Sequence, residues 1–288
     1  MRQNFGGVAY NVSSALRLLN NQSVRLLTVA GCSTPWMRTD STGDVIDEID
    51  GESTASYVSL LDSKTNELIC GFGDMEIYER QMTPAFLDRH LPTFRNNAWI
   101  MFDTNLSSAA MAHLVDIGTT YQKHLAVISA GGPTKARRIQ SVLRHVHVVF
   151  CNRLEFEAIT DSTSVESSLD RLLKTNTNLK LVCITLGADG VLIGIDGRLK
   201  RYPALSMEGE QHGIQNVTGA GDSFAAGVMN QLLKWNFDRI DRAIACGLLA
   251  AKFTLTSANT ISEQLQTINE RMIDDACSKQ LRYESIDP

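Results

Sequence analysis

Short, largely apolar runs that each close near Gly, Asp or Asn restrict the fold of this chain more than any other feature. Val24–Ala30 ends at Gly31, and Ala98–Asp103, Leu125–Ala130, Val146–Phe150 and Leu181–Leu186 take the same form. Strands this apolar suit a parallel sheet covered on both faces rather than a sheet with one solvated side. Helical patterns lie between and beyond them, at Ser107–Tyr121, Thr134–Arg144, Val165–Lys174 and Ala220–Lys234. The alternation predicts an α/β chain with a doubly wound, mostly parallel sheet. Ligands of such sheets gather beyond the carboxyl ends of the strands, where Asp103, Asn105, Asn152 and Gly187 stand.

One segment departs from the alternation. Thr54–Leu61 and Leu68–Phe72 read as successive strands joined by residues 62–67. This predicts a β-hairpin within residues 52–76, either a lid over a site or an ordinary edge hairpin. No linker, repeat or low-complexity stretch divides the 288 residues, so a single domain over 1–288 is expected. A net charge of −5 argues against nucleic acid or an anionic membrane as partner. The basic stretch Lys135, Arg137, Arg138 and Arg144 lacks interleaved aromatics and reads as a solvated helix face. The six cysteines are scattered without a CxxC pair, which fits a reducing, cytoplasmic setting. No acidic residue precedes Asp40, while Arg2, Arg17, Arg25 and Arg38 do, the pattern of a mitochondrial transit segment. The competing reading, a core-facing helix with Val8, Val12, Ala15, Leu16 and Leu19 on one face, is the one expected here.

Three segments carry candidate chemistry. Thr218-Gly219-Ala220-Gly221-Asp222 lets the backbone approach a ligand and then opens a helix, whose free N–H groups favour an anion such as phosphate. Asp222 in the first turn is placed to take a proton from an attacking alcohol; otherwise it is a helix-capping acid in a Gly-rich turn. Asn152 and Glu155 share one side of a helical turn and could hold Mg²⁺ through its waters, or simply cap a helix. Thr185-Leu186-Gly187-Ala188-Asp189-Gly190 is a turn between strands against which a nucleotide could lie. Neither a GxxxxGK[ST] loop nor a GxGxxG after a strand occurs, which removes P-loop and dinucleotide-binding readings.

Taken together these residues resemble the ribokinase (PfkB) family. Gly6, Gly7 and Asn11 resemble its N-terminal substrate motif, Asn152 and Glu155 its NxxE magnesium motif, and Thr185, Gly187 and Gly190 its nucleotide turn. Thr218 to Asp222 resembles its GAGD segment, and all four motifs fall in the family's order. Within the family the likeness runs to the pseudouridine kinase branch, through Gly6–Val12, the run Gly73-Asp74-Met75-Glu76-Ile77, and Asp103 with Asn105. The resemblance implies a ribokinase-like three-layer sandwich with a small β lid, ATP and Mg²⁺ as cosubstrate and cofactor, and a small-molecule nucleoside as acceptor. A homodimer is compatible with it. It assigns Asp222 as base, Gly219, Ala220 and Gly221 as the anion hole, and Thr218 to the nucleotide. Gly6, Gly7, Asn11, Asp103 and Asn105 would contact the acceptor. Asn216 stands where many members carry an Asp that helps bind a monovalent cation, which leaves that cation open. The family's usual first strand, with a hydroxyl-binding Asp, precedes the Gly-Gly motif, so the chain is expected to be N-terminally truncated. Alternatives are a kinase for ribose or adenosine, and a catalytically impaired fragment.

Overall fold

The computed structural model describes residues 6–21, 23–32, 44–61, 68–207, 213–280 and 283–286. Residues 62–67, expected to join the two hairpin strands, and the positions Arg2, Ser33, Arg38 and Asp40 lie outside them. In chain order the elements are α1 (Val8–Leu18), β1 (Leu27–Gly31), β2 (Val45–Ile49), β3 (Ser56–Leu61) and β4 (Leu68–Asp74). Three short helices follow, α2 (Glu76–Gln81), α3 (Pro84–Arg89) and α4 (Leu91–Arg95), and then β5 (Trp99–Asp103), α5 (Ser108–Thr120), β6 (His124–Ile128) and α6 (Gly132–Ala136). The remainder comprises β7 (Val148–Asn152), α7 (Arg153–Thr160), α8 (Val165–Thr175), β8 (Leu181–Thr185), β9 (Val191–Ile195), β10 (Arg198–Tyr202), α9 (Ala220–Trp235), α10 (Ile240–Leu255), α11 (Glu270–Asp275) and β11 (Glu284–Ile286).

A seven-stranded sheet in the order β11-β10-β9-β8-β7-β6-β5 forms the centre. Strands β5 to β8 pair in parallel, whereas β9, β10 and β11 are joined antiparallel. The strand period of two explains the continuous apolar runs. Leu125, Val127, Val149, Val182 and Ile184 face a core with Met111, Leu114, Phe156 and Leu169 from α5, α7 and α8. Their neighbours Ala126, Ile128, Val148, Phe150, Leu181 and Cys183 face Val12, Leu16, Phe224 and Ile244 from α1, α9 and α10. Each strand is therefore apolar on both faces because a helical layer covers each side. The result is an α/β sandwich with a helical layer on each face of the sheet.

Two small sheets stand beside the large one, the parallel pair β1-β2 and the hairpin β3-β4. Residues of β1 and β5, including Leu27, Thr28, Ile100 and Phe102, line a cavity of about 510 Å³. The N-terminal amphipathic pattern forms a helix, and its residues Val12, Ala15, Leu16 and Leu19 are buried. The expected helix Thr134–Arg144 is broken: α6 ends at Ala136 and continues as a 3₁₀ turn, Arg137–Ser141. Its basic residues also divide. Arg137 lies outward on Asp161 (3.1 Å). Arg138 instead turns inward and donates to the carbonyls of Thr104 (3.3 Å) and Leu106 (2.9 Å) and to Glu79 (2.8 Å). Inward hydrogen bonds, rather than solvation, thus account for part of that stretch. Cys151, Cys183 and Cys246 are buried as free thiols. No helix among the described residues is long and apolar enough to cross a membrane.

Candidate active site

The candidate residues converge at the carboxyl ends of the parallel strands. Asp103 ends β5, Asn152 ends β7 and Thr185 ends β8. Helix α9 begins beside them at Gly219, whose φ of +85° only glycine adopts without strain. A Cβ at Gly219 would stand 2.0 Å from the Thr260 carbonyl oxygen, so neither its conformation nor its surroundings admit another residue. Just before it, the Thr218 N–H donates to Asn216 Oδ1 (2.9 Å), closing the turn that leads into the helix.

Asp222 lies in the first turn of α9, half-buried. Its Oδ2 accepts a 2.7 Å hydrogen bond from Asn11 Nδ2, joining the N-terminal motif to the GAGD segment across 211 residues. Burial pushes the Asp222 carboxyl up to about 6; the Asn11 hydrogen bond opposes this, while the charges of Asp103 and Glu155 add to it. A carboxyl titrating there is ionised at neutral pH yet basic enough to accept a proton from an alcohol in a transition state.

Gly6, Gly7, Asp103 and Asn105 line the same 510 Å³ cavity, together with Thr28 and Tyr78. Asp103 Oδ1 accepts from the Asn105 N–H at 2.7 Å. Burial raises the Asp103 carboxyl, and Asn105, Lys135 and the Ala9 N–H offset part of that rise. Lys135 Nζ donates to Asn105 Oδ1 (3.0 Å), a role for which its place in a basic stretch gave no sign. Tyr78, also missed, is pushed up to about 12 by burial and by Asp103, and its hydroxyl is hydrogen-bonded with Thr28. The contacts of Tyr78 come from a helix after the hairpin and have no local sequence signature.

Asn152 and Glu155 form a reciprocal capping box on α7. Asn152 Oδ1 accepts from the Glu155 N–H (2.9 Å), and Glu155 Oε2 accepts from the Asn152 N–H (3.0 Å). Glu155 is buried rather than solvated, and burial raises its carboxyl. No group of three or more His, Cys, Asp or Glu among the described residues could chelate a metal directly. Asp103 and Glu155 act electrostatically on Asp222, and a Mg²⁺ held by the Asn152–Glu155 pair would keep its own water shell.

Thr185 and Gly187 line a second cavity, of about 320 Å³, with Asn152, Asp189 and Arg201. Gly190 closes the turn at φ +88°, and a Cβ there would meet the Tyr202 carbonyl oxygen at 2.1 Å. Gly190 is thus required by the packing of β9 against β10, whatever lies in the cavity. The site residues therefore fall into a group around Asp103, a second group around Thr185, and Asp222 with Asn11.

A family model described as "pfkB family carbohydrate kinase" matches residues 1–268. Pseudouridine kinase of Escherichia coli (strain K12) is 28% identical over 236 residues, 77% of this chain and 71% of that protein. Among solved structures, ribokinase of Arabidopsis thaliana complexed with ribose and ATP superimposes with a TM-score of 0.75 at 14% identity, covering 94% of this chain and 88% of that one. Adenosine kinase from Sinorhizobium meliloti superimposes with a TM-score of 0.74 at 19% identity, covering 91% and 81%.

Proposed function

The chain belongs to the pfkB family of carbohydrate kinases, phosphotransferases that act on an alcohol, and from that premise we propose that it transfers the γ-phosphoryl group of ATP to the 5′-hydroxyl of pseudouridine. The observation that carries this reading is the half-buried Asp222 carboxylate at the start of α9, held by Asn11 beside the cavity that Gly6, Gly7, Asp103 and Asn105 line. The likeness to a pseudouridine kinase over 77% of the chain supports the choice of acceptor.

In this reading Asp222 takes the proton from the acceptor hydroxyl as its oxygen bonds to the γ-phosphorus. The bond from that phosphorus to the bridging oxygen breaks, and ADP leaves with the electron pair. The N–H groups of Gly219, Ala220 and Gly221 hold the charge on the phosphoryl oxygens, and one such donor is worth about 3–4 kcal/mol. Thr185, Gly187, Gly190 and Thr218 hold the nucleotide. Asn152 and Glu155 would hold hydrated Mg²⁺, which would neutralise phosphate charge. Asp103 and Asn105, the latter braced by Lys135, take the acceptor's hydroxyls. The hairpin within residues 52–76 closes over the acceptor and excludes water.

A panel of pseudouridine, uridine, adenosine and ribose with ATP and Mg²⁺ tests the reading, with ADP release and ³¹P NMR of the product as readouts. Pseudouridine is expected to exceed the others in kcat/KM by at least about tenfold. Turnover of adenosine or ribose without pseudouridine overturns the acceptor assignment, and no ADP from any of them overturns the whole reading.

A further inference from the structure

We propose that Glu79 of α2 is a positioning residue for the acceptor, acting through Arg138 and Lys135 on the loop Asp103–Leu106; the proposal rests on the kinase reading above. That loop carries Asp103 and Asn105 past the end of β5. Its own closing bond is weak, since the Leu106 nitrogen stands 3.5 Å from the Asp103 carbonyl oxygen. Bonds from outside the loop therefore fix its shape. The Thr104 hydroxyl donates to the Ala130 carbonyl (2.7 Å) and accepts from the Ala130 N–H (2.8 Å). Arg138 grips the backbone on both sides of Asn105, its Nη1 donating to the carbonyls of Thr104 (3.3 Å) and Leu106 (2.9 Å). Lys135 holds the Asn105 side chain itself, 3.0 Å from the amide oxygen.

One carboxylate oxygen organises both cations. Glu79 Oε1 accepts from Arg138 Nη2 (2.8 Å) and lies 3.9 Å from Lys135 Nζ. The side chains of Lys135 and Arg138 are only 23% and 24% exposed. Two half-buried cations side by side repel each other, and a carboxylate between them offsets both charges. Arginine suits its place because a rigid fork serves two carbonyls and a carboxylate at once, which a lysine ammonium does not. Neither Glu79 nor Arg138 lines the cavity, so both act on its contents through the loop. Helix α2 also holds the approach to the hairpin, since Arg80 and Gln81 pair with Glu52 ahead of β3 (2.7 and 3.0 Å). The acceptor loop and the hairpin thus share one short helix as their support.

A tie that only stabilises the fold would lower the unfolding temperature and leave acceptor binding alone, which makes the division between the two KM values the discriminating measurement. Steady-state kinetics are followed in the wild type, Glu79→Ala and Arg138→Met, with pseudouridine and ATP-Mg²⁺ varied in turn. Each variant is expected to raise KM for the acceptor by about fivefold or more and to keep kcat and KM for ATP within about twofold of the wild type. The Glu79 side chain is 37% exposed, so Glu79→Ala decides the matter should Arg138→Met prevent cooperative folding. An unchanged acceptor KM in the folded Glu79→Ala variant overturns the proposal, as do KM values for acceptor and ATP that rise together. A wild type that makes no ADP defeats the kinase reading instead, and hydrogen exchange then decides whether Glu79 orders the loop. The amides of Asn105 and Leu106 should exchange at least about fivefold faster in Glu79→Ala, while those of β6 and β7 stay unchanged. Equal rates at Asn105 and Leu106 overturn the proposal.

Discussion

Asp222 sets function against stability. Burial and two neighbouring carboxylates raise its folded-state value to about 6, above the 3.8 of an unperturbed Asp. Between those values the native state keeps a proton that the unfolded chain has lost, so stability falls as pH rises through the window. Above it the full cost stands. A shift of this size corresponds to at most about 3 kcal/mol, and partial exposure reduces it to roughly 1–2 kcal/mol. Asp222→Asn should therefore raise the unfolding temperature at about pH 8 and leave it unchanged at about pH 4. The same variant should lose about 10²–10⁴-fold in phosphoryl transfer. Thermal unfolding at the two pH values checks the first effect, and equal changes at both would sink the explanation. The sequence pointed to Asp222 because a Gly-rich turn with an acid at a helix start is a local pattern. It did not pair Asp222 with Asn11, since no spacing rule links side chains 211 residues apart.

At the scale of elements, α7 shows how a structural and a functional reading share one geometry. The Asn152–Glu155 pair caps the helix, yet it also carries a buried carboxylate near Asp222. Two substitutions separate the roles. Asn152→Ala removes the cap and should cost about 1 kcal/mol in chemical denaturation. Asn152→Asp keeps an N-capping oxygen, so stability should change by less than half of that. Its added charge should nonetheless shift the Mg²⁺ concentration for half-maximal rate by several-fold. An unshifted magnesium dependence would reduce the pair to a cap. The legible elements were those with strong local patterns. The apolar strands β5 to β8 lie within a few residues of the runs that predict them, because two covered faces leave no polar positions. Helix α10 was not anticipated: Ala243 to Ala250 are buried all along, so no polar face marks its period. Strand β2, Val-Ile-Asp-Glu-Ile, is short and acid-bearing, and it is held by parallel pairing with β1 rather than by its own composition. The break between α6 and the 3₁₀ turn follows from tertiary demand, since Arg138 reaches back to the Thr104 and Leu106 carbonyls.

In the molecule as a whole, the hairpin β3-β4 is the element whose surroundings in the protein do not explain its surface. Two strands alone are marginal in water, and this pair makes no sheet contact with the other strands. Its two faces differ. On one, Tyr57 lies across Gly71 and Gly73; a Cβ at Gly71 would meet the Tyr57 hydroxyl oxygen at 2.0 Å. On the other, Val58 pairs with Phe72, and these lie 44% and 65% exposed, with Leu60 at 51% beside them. An apolar face left in solvent is expected to be covered in another state of the protein. The hairpin leads directly into α2, where Ile77 is buried in the core and Tyr78 lines the cavity beside Asp103. The proposed lid role requires movement about Asp74 and Met75 while the buried Ile77 anchors the base. Hydrogen exchange tests this. With ATP, Mg²⁺ and acceptor together, amides of Ser56–Leu61 and Leu68–Asp74 should gain protection of about tenfold or more, and ATP-Mg²⁺ alone should give less. Phe72→Ser, at an exposed position, should leave the unfolding temperature within about 2 °C of the wild type. It should also raise KM for the acceptor more than KM for ATP, since the proposed lid closes over the acceptor and not over the nucleotide. Exchange that ignores the acceptor, or a variant whose two KM values rise together, would make the hairpin an edge feature rather than a lid.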